Sequence, residues 1–237
     1  MIQFYSPDIA TTGQLPEQES THCCRVLRMR EGDHIYVTDG RGHRFECVIL
    51  EAHPKHTSVE ILSMEEIKPW WGFRLELCVA PSKNMDRMEW LVEKAVEIGV
   101  DRITLMKCQR SERKALRIDR LEKIAVSAMN QSLKTNKPEL IGPVDFKEIV
   151  SSPFDGFKCM GYCDDSIPLR GFSREYKGGD VRIMIGPEGD FTPTEVEQAL
   201  ANSYMAVTFG GSRLRLETAA LYAAVAAHVV GDPTMNS

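Results

Sequence analysis

No apolar run in these 237 residues approaches the roughly 18 that a membrane-spanning helix needs, and Asp8, Glu17 and Glu19 interrupt the first twenty positions. Neither a transmembrane helix nor a secretory signal is expected. There is no C-x-x-C pair, and the seven cysteines are an odd number, so a reducing, cytoplasmic setting is expected rather than a disulfide framework. Metal spacing is missing as well. His22, Cys23 and Cys24 are consecutive and diverge on a helix, while Cys159 and Cys163 have no second pair at zinc spacing. No G-x-G-x-x-G follows a strand and no G-x-x-x-x-G-K-[ST] occurs, so neither a Rossmann dinucleotide site nor a P-loop is supported.

A basic excess is also lacking. The net charge is -5, so the molecule as a whole has no nucleic-acid footprint. The average hides a contrast. Residues 102–137 carry ten Lys or Arg, among them Arg110, Arg113, Arg117 and Arg120, against three acids. Arg25, Arg28 and Arg30 form a smaller run with no acid back to His22. Each run reads equally as a solvated helix face or as a surface for phosphates.

What remains is ordinary globular material: 43% apolar and 27% charged residues, in a chain long enough for one large or two modest domains. The first 68 residues are β-rich, with strands expected at 34–38, 45–51 and 58–63 and a turn at Asp39-Gly40-Arg41-Gly42. A short helix near 21–29 would set Arg25 and Arg28 one turn apart on the side of a small barrel. Lys68-Pro69-Trp70-Trp71-Gly72 marks a domain boundary. From Phe73 strands alternate with helices, which implies a parallel sheet covered on its faces. Strands are expected at 75–80, 102–105, 158–162, 181–185 and 206–209, and helices at 85–98, 117–133, 194–201 and 218–230.

Two segments carry more than fold. In the first, a strand ending at Ile185 enters Gly186-Pro187-Glu188-Gly189-Asp190-Phe191, then Thr192-Pro193-Thr194-Glu195. Thr192 as cap, Pro193 at the first helical position and Glu195 three after the cap form a capping box. The flanking glycines permit close backbone approach by a ligand, at the strand end where open α/β sheets bind theirs; a tight structural turn is the other reading. In the second, Phe209-Gly210-Gly211-Ser212-Arg213-Leu214-Arg215-Leu216-Glu217-Thr218 leaves a strand with arginine and leucine alternating. Leu214 and Leu216 would form an apolar wall and the charged groups would point away. The alanine-rich helix that follows allows very close packing.

These segments resemble the paired signatures GPEGG and LG-x-R-(I/V)-L-R-x-E-T-A of the RsmE-type ribosomal RNA methyltransferases in the SPOUT superfamily. The likeness extends over His22-x-x-x-Val26-Leu27-Arg28 with Gly32-Asp33, Lys83 with Glu89–Val100, Ser111-Glu112-Arg113 and Ala128–Ser132. Asp190 stands where a second glycine is usual, Lys134 near a usual arginine, and Gln3 in place of a frequent early arginine. The resemblance implies an α/β fold: a PUA-like β-barrel domain for RNA over 1–70 and a SPOUT-type, trefoil-knotted parallel-sheet domain over 71–237. It further implies a homodimer that uses S-adenosyl-L-methionine to methylate ring nitrogen 3 of one uridine in the decoding region of 16S rRNA, in the small ribosomal subunit. Cofactor contacts would come from Tyr162, Ile185, Gly186, Pro187, Glu188, Gly189, Phe209, Gly210, Gly211, Arg213, Leu214, Leu216 and Thr218. RNA contacts would come from Arg25, Arg28, Arg110, Arg113, Arg117 and Arg120. Arg28, Arg213 and Arg215 are candidates to stabilise charge on the uracil, with Glu217 orienting an arginine or taking the proton; no metal is implied. A SPOUT enzyme acting on transfer RNA and a non-catalytic RNA-binding ribosome-assembly protein are the alternatives.

Overall fold

The computed structural model describes residues 2–111, 117–163 and 168–232, and every count below refers to these. The chain separates into two compact units, residues 1–70 with 126–137 and residues 71–125 with 138–237.

In the first unit β1 (Gln3–Tyr5) is followed by α1 (Ile9–Thr12), α2 (Glu17–Thr21), β2 (His34–Thr38), β3 (His43–Glu51) and β4 (Ser58–Glu66). They make a four-stranded sheet in the order β1-β2-β3-β4, with β1 parallel to β2 and the other pairs antiparallel. The expected small barrel takes this form, extended by a bridge between Gln14 and Ser58. Alternation along β2 and β3 sends Ile35, Val37, Phe45, Cys47 and Ile49 into a core with Phe4, Ile9 and Leu15. The turn between them closes because the Asp39 carboxylate accepts from the Arg41 and His43 amides at 2.8 and 3.2 Å.

The helix expected near 21–29 needs correction. Helix α2 ends at Thr21 and runs into one π-helical turn, His22–Val26, with Leu27 N–H bonded to the His22 carbonyl. The backbone then turns left-handed at Arg28, φ 57°, and the Asp33 carboxylate takes the Arg30 amide at 2.7 Å. That local bond competes with helix continuation. Arg25 and Arg28 therefore do not share a helix face.

The second unit contains β5 (Leu75–Val79), α3 (Met85–Ile98), β6 (Arg102–Lys107), β7 (Glu139–Asp145), α5 (Phe146–Ser151), β8 (Phe157–Gly161), β9 (Arg170–Gly171), α6 (Phe172–Glu175), β10 (Val181–Ile185), α7 (Pro193–Ala201), β11 (Met205–Thr208) and α8 (Leu216–Gly231). Helix α4 (Ile118–Gln131) begins in this unit, and its residues from 126 on group with the first. Among the described residues the sheet has seven strands in the order β7-β6-β5-β10-β8-β11-β9, and every neighbouring pair is parallel. Central strands β5 and β10 are buried along their whole length, as strands covered on both faces must be. Helices α3 and α8 pack together, and α8 also touches β5 and β10. At the amino ends of the strands Glu76, 1% exposed, accepts from Arg182 Nε at 2.7 Å and Arg102 Nη1 at 3.0 Å, which compensates the burial of its charge. No described helix is long and apolar enough to cross a membrane.

Candidate functional site

Strands β8, β10 and β11 are neighbours of one direction, so the loops that leave their carboxyl ends meet at one edge of the sheet. There they enclose a cleft of about 1210 Å³. Such a position, outside the carboxyl ends of parallel strands, is where open α/β sheets receive ligands.

The loop after β10 is fixed at both ends. Pro187 is buried, while Glu188 and Gly189 reach solvent. The Ser82 hydroxyl, from the loop after β5, donates to Glu188 Oε1 at 2.8 Å. At the far end the capping box forms as expected: Thr192 Oγ1 receives the Glu195 amide at 3.3 Å, and Glu195 Oε2 takes the Thr192 amide at 2.8 Å. Gly186 has no room for a side chain, since a Cβ there would lie 2.9 Å from the ring of Phe191. Asp190 adopts a left-handed φ of 60°, which explains why glycine is usual at this position and why a short Asx residue can stand in for it. Its carboxylate accepts from its neighbour's Phe191 amide at 2.8 Å and from the Cys163 amide at 3.3 Å.

The loop after β11 carries the alternation expected of it. Leu216 is buried and Leu214 half-buried, whereas Arg213 and Arg215 are exposed. Glu217, in the first turn of α8, is 7% exposed and faces Arg87 of α3, with Nε 3.7 Å from Oε1. The arginine beside Glu217 is thus Arg87 rather than Arg213 or Arg215.

Tyr162, Ile185, Gly186, Pro187, Glu188, Gly189, Phe209, Gly210, Gly211, Arg213, Leu214, Arg215, Leu216 and Glu217 all line this cleft. Thr218 does not, although Ala219 beside it does. Arg110 lines the cleft too, and its guanidinium is bonded to loop carbonyls. Arg117 lies 3.7 Å from the Asp119 carboxylate, and Arg120 grips Glu89 with Nε at 2.6 Å. Arg25 and Arg28 are exposed in the first unit, and Arg113 lies outside the described residues. Sequence reading missed Arg87, Gly161, Cys163 and Val207 as lining residues. Arg87 had a signal in the sequence, a cation at the amino end of a helix flanked by acids, but nothing pointed it at a residue 130 positions later.

Cys163 is the exposed thiol of the cleft. Burial and then the Asp190 carboxylate push its pKa up, and Arg213 pulls it only partly back. It stays a thiol near neutral pH, which does not suit a nucleophile. Among the described residues no three His, Cys, Asp or Glu side chains gather as a metal site.

The family model of the RNA methyltransferase domain matches residues 71–228, and that of the RNA methyltransferase PUA domain matches residues 15–62. The chain belongs to the RNA methyltransferase family. A PUA-like unit followed by a parallel-sheet methyltransferase unit is the organisation these two matches give. Ribosomal RNA small subunit methyltransferase E of Bacillus subtilis is 26% identical over 227 residues, covering 90% of this chain and 88% of its own. A Porphyromonas gingivalis crystal structure, described as a probable rRNA-methyltransferase, superposes with a TM-score of 0.91 at 41% identity over 97% of this chain and 98% of that one. Ribosomal RNA small subunit methyltransferase E from Neisseria gonorrhoeae, solved with S-adenosyl methionine bound, gives 0.87 at 27% identity over 98% of both chains.

Proposed function

We propose that this protein is an S-adenosylmethionine-dependent methyltransferase acting on ring nitrogen 3 of a uridine in the decoding region of 16S rRNA. It works as a homodimer in the cytoplasm, with residues 1–70 as the RNA-binding domain and 71–237 as the catalytic domain. The observation that carries the reading is the cleft itself: three strand-end loops, two of them glycine-rich, on a fold shared with a relative solved with the cofactor bound. The strand order supports the expected knot, because β10 lies between β5 and β8 although it follows β8 and β9 in the chain.

The residues present suit the cofactor. Gly210 and Gly211 have open space where a side chain would stand, and Ile185, Leu214 and Leu216 line the cleft with apolar surface. The cleft also exceeds the roughly 300–1,000 Å³ that one small ligand uses, which leaves room for a base beside it.

When bound, S-adenosylmethionine supplies an electrophilic sulfonium methyl. The protein's task is then to hold the uridine in line with it and to exclude water. Uridine nitrogen 3 carries a proton at neutral pH, and its loss leaves negative charge on the two carbonyl oxygens. The exposed guanidiniums of Arg213 and Arg215 at the cleft are the groups for that charge. Glu217 faces Arg87 at the same cleft, and its role is to orient that guanidinium rather than to take the proton.

Incubation with labelled cofactor and small subunits lacking the modification, followed by nucleoside mass spectrometry, tests the reading. The expected product is one 3-methyluridine per subunit. Label on another base, or on transfer RNA alone, overturns it.

A further inference from the structure

Arg110 entered the sequence reading as a phosphate contact, one cation in a basic run. Its surroundings assign it different work. Nη1 donates to the carbonyl of Gly189 at 2.7 Å and to that of Phe191 at 3.5 Å. The side-chain stem lies over Gly189, with Cδ 3.4 Å from where a Cβ would stand. One residue earlier, the Gln109 amide donates to Glu195 Oε1 at 2.8 Å, the same carboxylate that closes the capping box of α7. The short loop that carries Arg110 is itself braced: the Cys108 amide donates to Ser111 Oγ at 2.9 Å, and the Ser111 amide to the Cys108 carbonyl at 3.1 Å.

These contacts pin the loop after β6 to the loop after β10 at three points. Two carbonyls of a glycine-bearing loop meet one nitrogen, Nη1, at the end of a stem laid over Gly189, and a lysine ammonium ends one bond short of that nitrogen. We infer that Arg110 is a positioning residue: it clamps the Gly189–Phe191 segment and thereby sets the shape of the cofactor cleft. The inference rests on the methyltransferase reading of that cleft and adds to it a residue that acts on cofactor affinity through the loop, independently of RNA.

The test separates the clamp from a phosphate contact. Calorimetric titration of S-adenosylmethionine into wild type, Arg110→Lys and Arg110→Ala is done without RNA, beside binding of a 16S rRNA fragment at two salt concentrations. The clamp predicts that the cofactor Kd rises at least about fivefold in both variants, since a hydrogen bond to a charged donor is lost. It also predicts a raised KM for the cofactor, with kcat at saturation within about twofold of wild type. Lysine restores RNA binding but not cofactor affinity. A cofactor Kd equal to wild type in Arg110→Ala, with weaker RNA binding and a shallower salt slope, overturns the clamp. If Arg110→Ala fails to fold, Arg110→Lys and Arg110→Gln carry the same comparison. If wild type binds no cofactor, the methyltransferase reading fails instead.

Discussion

The buried hydroxyl of Ser82 donates to Glu188 Oε1 at 2.8 Å and accepts from the Asn84 amide at 3.3 Å. Asn84 in turn caps α3 through the Asp86 and Arg87 amides. One oxygen therefore links the glycine loop after β10 to the start of the helix that carries Arg87, so both walls of the cleft share a fixed point.

Removing that point should cost cofactor affinity more than stability. Glu188 is exposed and can turn to water when Ser82→Ala deletes its donor. A loss of about 1 kcal/mol in calorimetric cofactor binding is expected, as for one neutral donor, with a thermal midpoint within about 2 °C of wild type.

The two glycines of the loop should respond differently. A Cβ at Gly186 meets the ring of Phe191, which is 1% exposed, at 2.9 Å, whereas one at Gly189 makes ordinary contact with the Arg110 stem at 3.4 Å. Gly186→Ala should lower stability by about 1–3 kcal/mol, the usual result of overpacking. Gly189→Ala should keep its stability. Chemical denaturation of both variants checks the order.

That contrast marks where sequence reading ends. Helix α3 was legible to the residue, because Met88, Leu91, Val92, Ala95 and Val96 recur at helical spacing up to Gly99. The capping box of α7 was legible for the same reason: both signals are local. Strand β7 was not, since Gly142 and Pro143 interrupt it, and the structure puts it at the sheet edge where proline is tolerated. The glycine loops were recognisable as a pair, but which glycine is crowded depends on Phe191 folding back. The pairing of Arg87 with Glu217 is a product of α3 packing on α8, which no spacing encodes.

Glu217→Gln keeps the shape of the side chain and removes the charge that holds Arg87. Turnover on small subunits should fall about a hundredfold, the lower end of the loss seen when an electrostatic group is removed. The cofactor KM should stay within about threefold. A variant with wild-type kcat would remove Glu217 from the machinery.

Stability should carry the signature of one acid in the first unit. Burial pushes the Glu19 carboxyl above its ordinary value, against the Tyr5 amide, His22 and Asn130, which favour the ionised form. The folded state thus holds a proton that the unfolded chain releases earlier. Glu19 contributes stability that is complete below its unfolded pKa and is lost as pH rises through the folded one. Unfolding free energy measured from pH 4 to pH 7 should decline less in Glu19→Gln than in wild type.

The basic stretch is tested at Arg117. Its neighbour Arg120 is committed to Glu89 through two bonds, whereas among the described residues Arg117 faces an exposed Asp119 at 3.7 Å. Arg117→Glu should weaken binding of a 16S rRNA fragment and flatten its salt dependence by about one counterion or more. Cofactor affinity should not change.

The late arrival of β10 in the chain has a consequence for synthesis. Until Val181–Ile185 leaves the ribosome, β8 and the set β7-β6-β5 share no hydrogen-bonded neighbour. Strand β8 then has neither of its sheet neighbours, since β10 and β11 both follow it in the chain, and β5 keeps one edge unpaired. A nascent protein stalled before residue 181 should therefore be sensitive to proteases throughout its second unit, while its first unit, complete by residue 137, already resists them.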